Sequence, residues 1–487
     1  MSTETKNALA RYPEYEATIG IEVHIQLKTE SKIFCSCPRS FGQEPNSNVC
    51  PVCLGHPGVL PVLNKKVVDF AIMVGLATNC SITRSTDFAR KHYMYPDLPK
   101  NYQITQSDKP ICQEGFITIQ GADGEEKKVR LLRIHMEEDA GKNLHSNKGY
   151  SLVDLNRAGT PLLEVVTHPD ISTAQEADAY LKQLHAIVQY LGVSDANMDE
   201  GSFRADINIS VKKKTASEFG VKVELKNINS FRFIAHAIEY ELERQLELVT
   251  TNQRIYQETR LWDSKQQKSI FMRSKEEAQD YRYFNEPDLP VIEIDDSWIE
   301  RIRKNIPELP REKFLRLQKE YALSSYEAEI MVEDKSIADF FEATVAVCNN
   351  PKLTSNWILR DVLGYLKEHK IGLHESKITA NGLGEMIIAL EQGVINSSAA
   401  QEVFLEMAQT GKSPHVIIDE KDLKQIGSSE ELEAIVKQVI EQNADSVKKY
   451  QEGNARLFMF FVGQTMKATK GKGNPVMIND LLKKYLG

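Results

Sequence analysis

An α+β chain with separate parts is expected, because strands dominate the first 295 residues, helices dominate the rest, and 487 residues exceed one hydrophobic core. The Pro-rich stretches Glu286-Pro287-Asp288-Leu289-Pro290 and Pro307-Glu308-Leu309-Pro310 flank the change of character. A second break falls at Thr410 to Pro414. The expected domains are therefore 1–295, 296–411 and 412–487.

The first strand runs through Gly20-Ile21-Glu22-Val23-His24-Ile25-Gln26-Leu27. Side chains alternate across a strand, so Ile19, Ile21, Val23, Ile25 and Leu27 point one way and Glu22, His24 and Gln26 the other. One row faces a core. The other is equipped to hold a hard cation or to move a proton.

Next comes Cys35-x-Cys37, twelve residues, then Cys50-x-x-Cys53, in a chain with seven cysteines. The odd count, the tight pairing and the absence of an apolar h-region in Met1 to Glu14 favour a metal over disulfides. Four thiolates at this spacing make a closed structural zinc site, so the loop 35–53 is read as a zinc knuckle. The same N-terminal composition leads us to expect a cytoplasmic protein.

Leu131 to Glu138 reads as a strand feeding Glu137-Glu138-Asp139, three consecutive acids that a purely structural strand would avoid. Glu164 lies inside the apolar strand Pro161-Leu-Leu-Glu-Val-Val166, where a lone carboxylate is costly unless paired or coordinated. His24 with two or three such carboxylates suits Mg²⁺ or Mn²⁺ better than Zn²⁺. Strict alternation sets Glu137 beside Arg133 and His135, whereas a bulge at the strand end would select Glu138. Arg90-Lys91-His92-Tyr93, Lys100-Asn101-Tyr102-Gln103 and Asp154-Leu155-Asn156-Arg157 supply the cation and amide donors a triphosphate requires.

A helix is expected after Ser172 or Thr173, with apolar residues every three or four positions until Gly192, and another from about Ser230 to Leu248. Strands Phe203 to Val211 and Val221 to Leu225 lie between them. Further helices are expected at Arg311 to Glu320, Ser336 to Cys348, Ser355 to Lys367, Gly382 to Gln392 and Ser397 to Ala408, then near Glu430 to Gln442, Arg456 to Lys470 and Val476 to Leu486.

With 41% hydrophobic and 26% charged residues the composition is globular, and no run approaches the length of a membrane span. The net charge of -9 disfavours nonspecific wrapping of nucleic acid by the whole surface. The end of the chain differs: Arg456, Lys467, Lys470, Lys472, Lys483 and Lys484 stand against a single Asp480, which suits a local phosphate-backbone contact. Common nucleotide signatures are missing. Gly411-Lys412-Ser413 resembles the end of a P-loop, but position 406 is Glu and no strand leads into it.

Six longer motifs then point to a family. Ile19-Gly-Ile-Glu22-Val-His24, Phe41-Gly-Gln-Glu-Pro-Asn-Ser47, His56-Pro-Gly-Val-Leu-Pro61, His135-Met-Glu-Glu-Asp-Ala-Gly-Lys142, Ser151-Leu-Val-Asp-Leu-Asn156 and Tyr281-Arg-Tyr-Phe-Asn-Glu-Pro-Asp288 closely resemble the B subunits of the aspartyl/glutamyl-tRNA amidotransferases, over essentially the whole chain. The resemblance implies an antiparallel-sheet, cradle-like catalytic domain, an all-α helical domain and a small helical tail that contacts tRNA. It implies an ATP-dependent ligase that phosphorylates the side-chain carboxylate of Glu-tRNA(Gln) or Asp-tRNA(Asn) and amidates it with ammonia. The ammonia would come from an amidase A subunit in a heterotrimer with a small C subunit. On this reading His24, Glu138 and Glu164 bind Mg²⁺, Glu22 and Glu137 complete the shell through water or guide ammonia and take its proton, and Lys91 and Asn156 contact the nucleotide. Cys35, Cys37, Cys50 and Cys53 match the zinc-bearing branch. The rival expectation is a non-catalytic, zinc-stabilised tRNA-binding scaffold.

Overall fold

The computed structural model describes residues 8–487 apart from 122, 147, 229, 275–280, 426–428 and 470. It divides into two compact units, Met1–Glu312 and Lys313–Gly487.

The first unit is built on β1 (Tyr15–Gln26), β2 (Ala89–His92), β3 (Tyr102–Thr105), β4 (Glu126–Glu138), β5 (Pro161–Thr167), β6 (Phe203–Lys213), β7 (Val223–Ile228), β8 (Glu258–Asp263), β9 (Lys268–Ser274) and β10 (Phe284–Asn285). The main sheet runs β9-β8-β7-β6-β1-β5-β4 and ends in two short strands, Cys112–Gln113 and Ser81–Ile82. β10, β2 and β3 form a separate three-stranded ribbon.

The alternation expected of β1 is present along its whole length: Ile19, Ile21, Val23 and Ile25 are buried, while Glu22, His24 and Gln26 are half-buried on the other face. Both neighbours of β1, β5 and β6, run antiparallel to it. The antiparallel expectation fails at one pairing, where β7 runs parallel to β8. The reason is the helix Phe231–Thr250 between them: a crossover returns the chain in the same direction, whereas a tight turn would reverse it.

Helices α1 (Lys65–Ala77), α2 (Ala174–Tyr190) and α3 (Phe231–Thr250) share one core with the apolar face of the sheet. Thr173 and Ser230 cap α2 and α3 by accepting from Glu176 N and Phe233 N, and Gly192 at φ +66° follows α2, where such a stop is expected. Helix α1 is not legible as a helix. Val67, Val68, Phe70, Ala71, Ile72, Met73 and Val74 are all buried, so it is apolar on nearly every side and shows no amphipathic stripe. Helix α4 (Asp296–Arg303) belongs with this core rather than beyond residue 295, since Ile299 and Ile302 are buried in it and Trp298 donates to Asp69 at 2.6 Å.

The second unit is helical and carries two apolar clusters, one spanning residues 317–418 and the other 432–486. Lys335–Cys348, Ala380–Glu391 and Ser397–Thr410 follow the expected helices closely. The one expected over Ser355 to Lys367 is interrupted by a π turn, Ile358–Val362, between Pro351–Trp357 and Leu363–His369. The helix Pro414–Glu420 contributes Ile417 and Ile418 to the first cluster, so that core extends past residue 411. Ser429–Gln442, Leu457–Ala468 and Pro475–Leu486 build the second cluster; Lys470 of the basic run lies outside the described residues. Among the described residues no helix is long and apolar enough to cross a membrane.

Candidate active site

The polar row of β1 is extended by its neighbours because antiparallel partners across a sheet place their side chains on the same face. His24 pairs with Glu164 of β5 on one side and Arg204 of β6 on the other, and Glu164 pairs in turn with His135 of β4. Two positions along, Glu22 pairs with Asp206. The sheet thus carries Glu22, His24, Glu164, His135 and Glu137 on one face, with the aliphatic core on the other.

At the centre the Glu164 carboxylate lies between two imidazoles, 3.4 Å from His24 Nε2 and 3.1 Å from His135 Nε2. Glu137 reaches the same pair at 3.5 and 3.6 Å, and the Thr105 hydroxyl donates to it at 3.1 Å. Burial works to lower the pKa of both imidazoles, but the adjacent carboxylates outweigh it: His24 is raised, and His135 is raised to about 9. For Glu164 burial raises the carboxyl, and the two imidazoles overcome this and hold it well below the usual carboxylate range.

One nitrogen of His24 and one oxygen each of Glu137 and Glu164 all lie within 4.8 Å of one another. Adjacent ligands in an octahedron with bonds of about 2.1 Å are about 3 Å apart, so the 3.4 and 3.5 Å separations fit one divalent cation after slight closure. The donor set, one imidazole and two carboxylates, suits Mg²⁺ or Mn²⁺.

Glu138, the acid expected as the third ligand, is placed elsewhere. No bulge interrupts the end of β4: the pairing with β5 is regular from Pro161 opposite Glu138 to Val166 opposite Arg133, and the register shifts only after that. Alternation therefore sends Glu137 to the face of His24 and Glu138 to the opposite one. There Glu138 receives Lys100 Nζ at 2.5 and 2.6 Å and Ile104 N at 2.8 Å, joining β3 to the end of β4.

Asn156 also has another occupation. Its Oδ1 accepts from Asn48 N at 2.8 Å and its Nδ2 donates to Glu44 O at 2.7 Å, so the amide expected at the nucleotide holds the 44–48 loop. Lys91, the other residue expected at the nucleotide, lies near enough to Glu137 and Glu164 to feel their charge. It stands on β2 opposite Gln103, and burial lowers its pKa less than Glu137 and the other nearby groups raise it, so it stays charged. Glu22 accepts from Asn208 at 3.1 Å, and burial, then Glu164 and Asp206, raise its carboxyl.

The four sulfurs of Cys35, Cys37, Cys50 and Cys53 also lie within 4.8 Å of one another, with Cys50 and Cys53 3.9 Å apart. Tetrahedral Zn–S bonds of about 2.3 Å place sulfurs about 3.8 Å apart, which this arrangement fits. The Cys53 thiol is drawn down to about 4, first by a hydrogen bond from Cys35 and further by Lys32. Lys32 is fully buried and donates to Asn48 O at 2.8 Å, a fixed cation beside a site whose thiolates outnumber the charge of Zn²⁺.

Two features of the site escape sequence reasoning. His135 is visible there as a neighbour of Glu137 but has no role, although alternation already puts it on the same face. Asp139 is buried and held by Arg204 at 3.0 and 3.2 Å and by Gln26 at 2.9 Å; burial raises its carboxyl, and Arg204 and Arg157 more than reverse this. Nothing in the sequence pairs residue 139 with 204.

Comparison with known proteins finds matches over most of the chain. Residues 17–300 match the family model described as the GatB/GatE catalytic domain, and residues 339–486 match the one described as the GatB domain. A protein of Thermodesulfovibrio yellowstonii, named as the B subunit of an aspartyl/glutamyl-tRNA(Asn/Gln) amidotransferase, is 50% identical over 473 residues, covering 97% of this chain and 99% of its own. Proteins of the same name from Persephonella marina, 51% identical, and Myxococcus xanthus, 50% identical, each cover 97% of this chain and 100% and 99% of their own.

Proposed function

The chain belongs to the family of aspartyl/glutamyl-tRNA(Asn/Gln) amidotransferase B subunits, and from that premise we propose how its residues divide the work of the reaction. The reaction is an ATP-dependent ligation that converts Glu-tRNA(Gln) or Asp-tRNA(Asn) to the amide. An ionised carboxylate resists ammonia because it has no usable leaving group. An oxygen of that side chain attacks the γ-phosphorus of ATP, ADP departs, and the acyl phosphate so formed accepts the lone pair of ammonia at its carbonyl carbon. Phosphate then leaves with the electrons of the C–O bond.

His24, Glu137 and Glu164 are the residues that would hold the divalent cation, and their convergence on one face of the sheet carries this reading. When bound, the ion neutralises charge on the phosphoryl oxygens. His135 orients both carboxylates from the far side. Lys91 keeps its charge in a partly desolvated place and faces the triphosphate. Glu22 lies about 7 Å along the strand from His24. Its raised carboxyl makes it a better proton acceptor than an ordinary glutamate, and it takes the proton that ammonia sheds.

Ammonia is delivered by a glutaminase A subunit, with a small C subunit completing a cytoplasmic heterotrimer. The Cys35, Cys37, Cys50 and Cys53 knuckle holds a structural Zn²⁺, and the basic terminal helices contact tRNA. The scaffold alternative is not favoured, since a surface that merely bound tRNA has no use for buried acids and imidazoles packed on one face. The deciding experiment incubates the full chain with misacylated tRNA, ATP, Mg²⁺ and ammonium, and with no glutaminase present. Amide-bearing tRNA and stoichiometric ADP are expected in the wild type and not in His24→Ala; turnover undiminished in that variant would remove the assignment.

A further inference from the structure

The polar row of β1 has a gap. Thr18, Gly20, Glu22 and His24 follow one another on that face, and Gly20 brings no side chain to it. A Cβ built on Gly20 would meet only Pro169, at 4.0 Å, and Gly20 is not among the glycines with positive φ, so neither crowding nor backbone conformation demands a glycine there. Glycine inside a strand then marks a place left open for a close approach.

A cavity of about 280 Å³ occupies the gap, between the sheet and the segment 219–222. Glu22, Val166, Pro169 and Asn208 line it, and Phe219 and Lys222 stand exposed at its rim. Asn208 is opposite Gly20 in the pairing of β1 with β6 and is 9% exposed. Its Nδ2 donates to Glu22 Oε1 at 3.1 Å, which leaves Oδ1 a buried acceptor with no hydrogen-bond partner among the described residues. A buried acceptor left unmet is costly. A donor would satisfy it, and the Glu22 carboxylate beside it favours a donor with positive charge. Anions are disfavoured there, since the one cation among the described lining residues, Lys222, lies at the exposed rim.

We infer that this cavity receives the α-ammonium group of the aminoacyl ester on tRNA, held by Asn208 Oδ1 within the field of Glu22, so that Asn208 and Gly20 help to decide which ester is accepted. The inference rests on the phosphoryl-transfer reading above and adds how the far end of the reacting amino acid is held. The reach agrees. In glutamate the α-nitrogen lies about 5 Å from the side-chain carboxyl carbon, and a hydrogen bond adds about 3 Å. Positions 22 and 20 lie about 7 and 13 Å along the strand from His24, so a carboxylate beside His24, Glu137 and Glu164 sets its ammonium between them. Ammonia, with a single heavy atom, would leave most of the cavity unfilled. Free glutamate carries a second carboxylate where charged tRNA has an ester, and an acceptor beside an acid repels that extra charge.

The test compares two esters of the same tRNA(Gln), glutamyl and 2-hydroxyglutaryl, which differ in carrying an α-ammonium or an α-hydroxyl. The full chain is given ATP, Mg²⁺ and ammonium, and kcat/KM is read for each ester. Wild type is expected to favour the glutamyl ester by about tenfold or more, the scale of a hydrogen bond to a charged group. Gly20→Val, whose branches fill the cavity, and Asn208→Ala, which removes the acceptor, are each expected to bring the two esters within about twofold of each other. Affinity for ATP is expected to be unchanged in both variants, which also shows that the fold persists. Equal kcat/KM for the two esters in wild type overturns the subsite and leaves the cavity to water; a preference that persists in both variants overturns it as well. If the wild-type chain amidates neither ester, the phosphoryl-transfer reading itself falls.

Discussion

Replacing Glu138 by Gln separates two roles that a glutamate next to a proposed metal ligand can have. Its side chain is 4% exposed, that of Lys100 14%, and the carboxylate takes both the ammonium and the amide of Ile104. A glutamine of the same shape retains one acceptor oxygen but turns an NH₂ toward the Lys100 donors and leaves that ammonium without a counter-charge. Breaking a buried pair on one side costs about 3–5 kcal/mol, and the retained oxygen places the expected loss near the lower figure, about 3 kcal/mol. Guanidinium unfolding of the first unit, followed through Trp262 and Trp298 in a Trp357→Phe background, reads this loss; hydrogen exchange over residues 102–105 locates it. Replacing both partners at once, Glu138→Leu with Lys100→Met, should return much of the stability. Mn²⁺ affinity should change little in Glu138→Gln and fall sharply in Glu137→Gln. Should Glu138→Gln keep its unfolding midpoint while losing Mn²⁺ by tenfold or more, the residue is a ligand and the face assignment along β4 is wrong.

Three further outcomes follow from the geometry. His135→Asn, which removes the support behind Glu137 and Glu164 but no donor of the proposed set, should weaken Mn²⁺ by about 10–100-fold, with His24→Asn weakening it at least as much; titration by electron paramagnetic resonance measures both. Cys37→Ser, or treatment with a strong chelator, should release about one zinc per chain and open the 35–53 loop to protease, measured by metal analysis and limited digestion; a metal-free chain with an equally resistant loop would refute the zinc knuckle. In the second unit Glu327 accepts from Ser324 N at 2.9 Å and pairs with Lys352 at 2.6 Å. Burial raises its carboxyl, but these partners bring it down to about 2. A depressed carboxyl contributes stability that is complete above the unfolded value of about 4.3 and is lost as pH falls toward 2; allowing for the exposed Lys352, this is about 2 kcal/mol. Glu327→Gln should flatten that part of the stability curve, and an unchanged acid slope would count against the pairing.

Strand β1 shows how much of the site local order dictates. A period of two along Glu22, Val23 and His24 already states which side chains share a face, whatever the strand pairs with. The same rule identifies Glu137 as an alternative, and His135 stands one step from recognition. The thiol cluster is legible for a similar reason, since Cys35, Cys37, Cys50 and Cys53 are close along the chain and a short loop must bring them near. Helix α1 is hidden because burial on all sides erases the periodicity on which such reading depends. Whether β4 ends in a bulge is also undecidable locally, because a bulge is a mismatch between two strands, and its absence is a property of the pairing with β5.

The amino-acid order alone therefore determined the alternating faces, the closeness of the four cysteines, the approximate starts of the two helices after residues 172–173 and near Ser230 and, through its long motifs, the family. The tertiary structure alone decided which strands lie side by side, and with that the meeting of His24, Glu137, Glu164 and His135, the diversion of Glu138 to Lys100 and of Asn156 to the 44–48 loop, and the joining of residues 90–93 to 281–284. Local rules act over a few residues of backbone, whereas hydrogen-bonded register couples residues more than a hundred positions apart; only the folded pairing settles which charges must share a face.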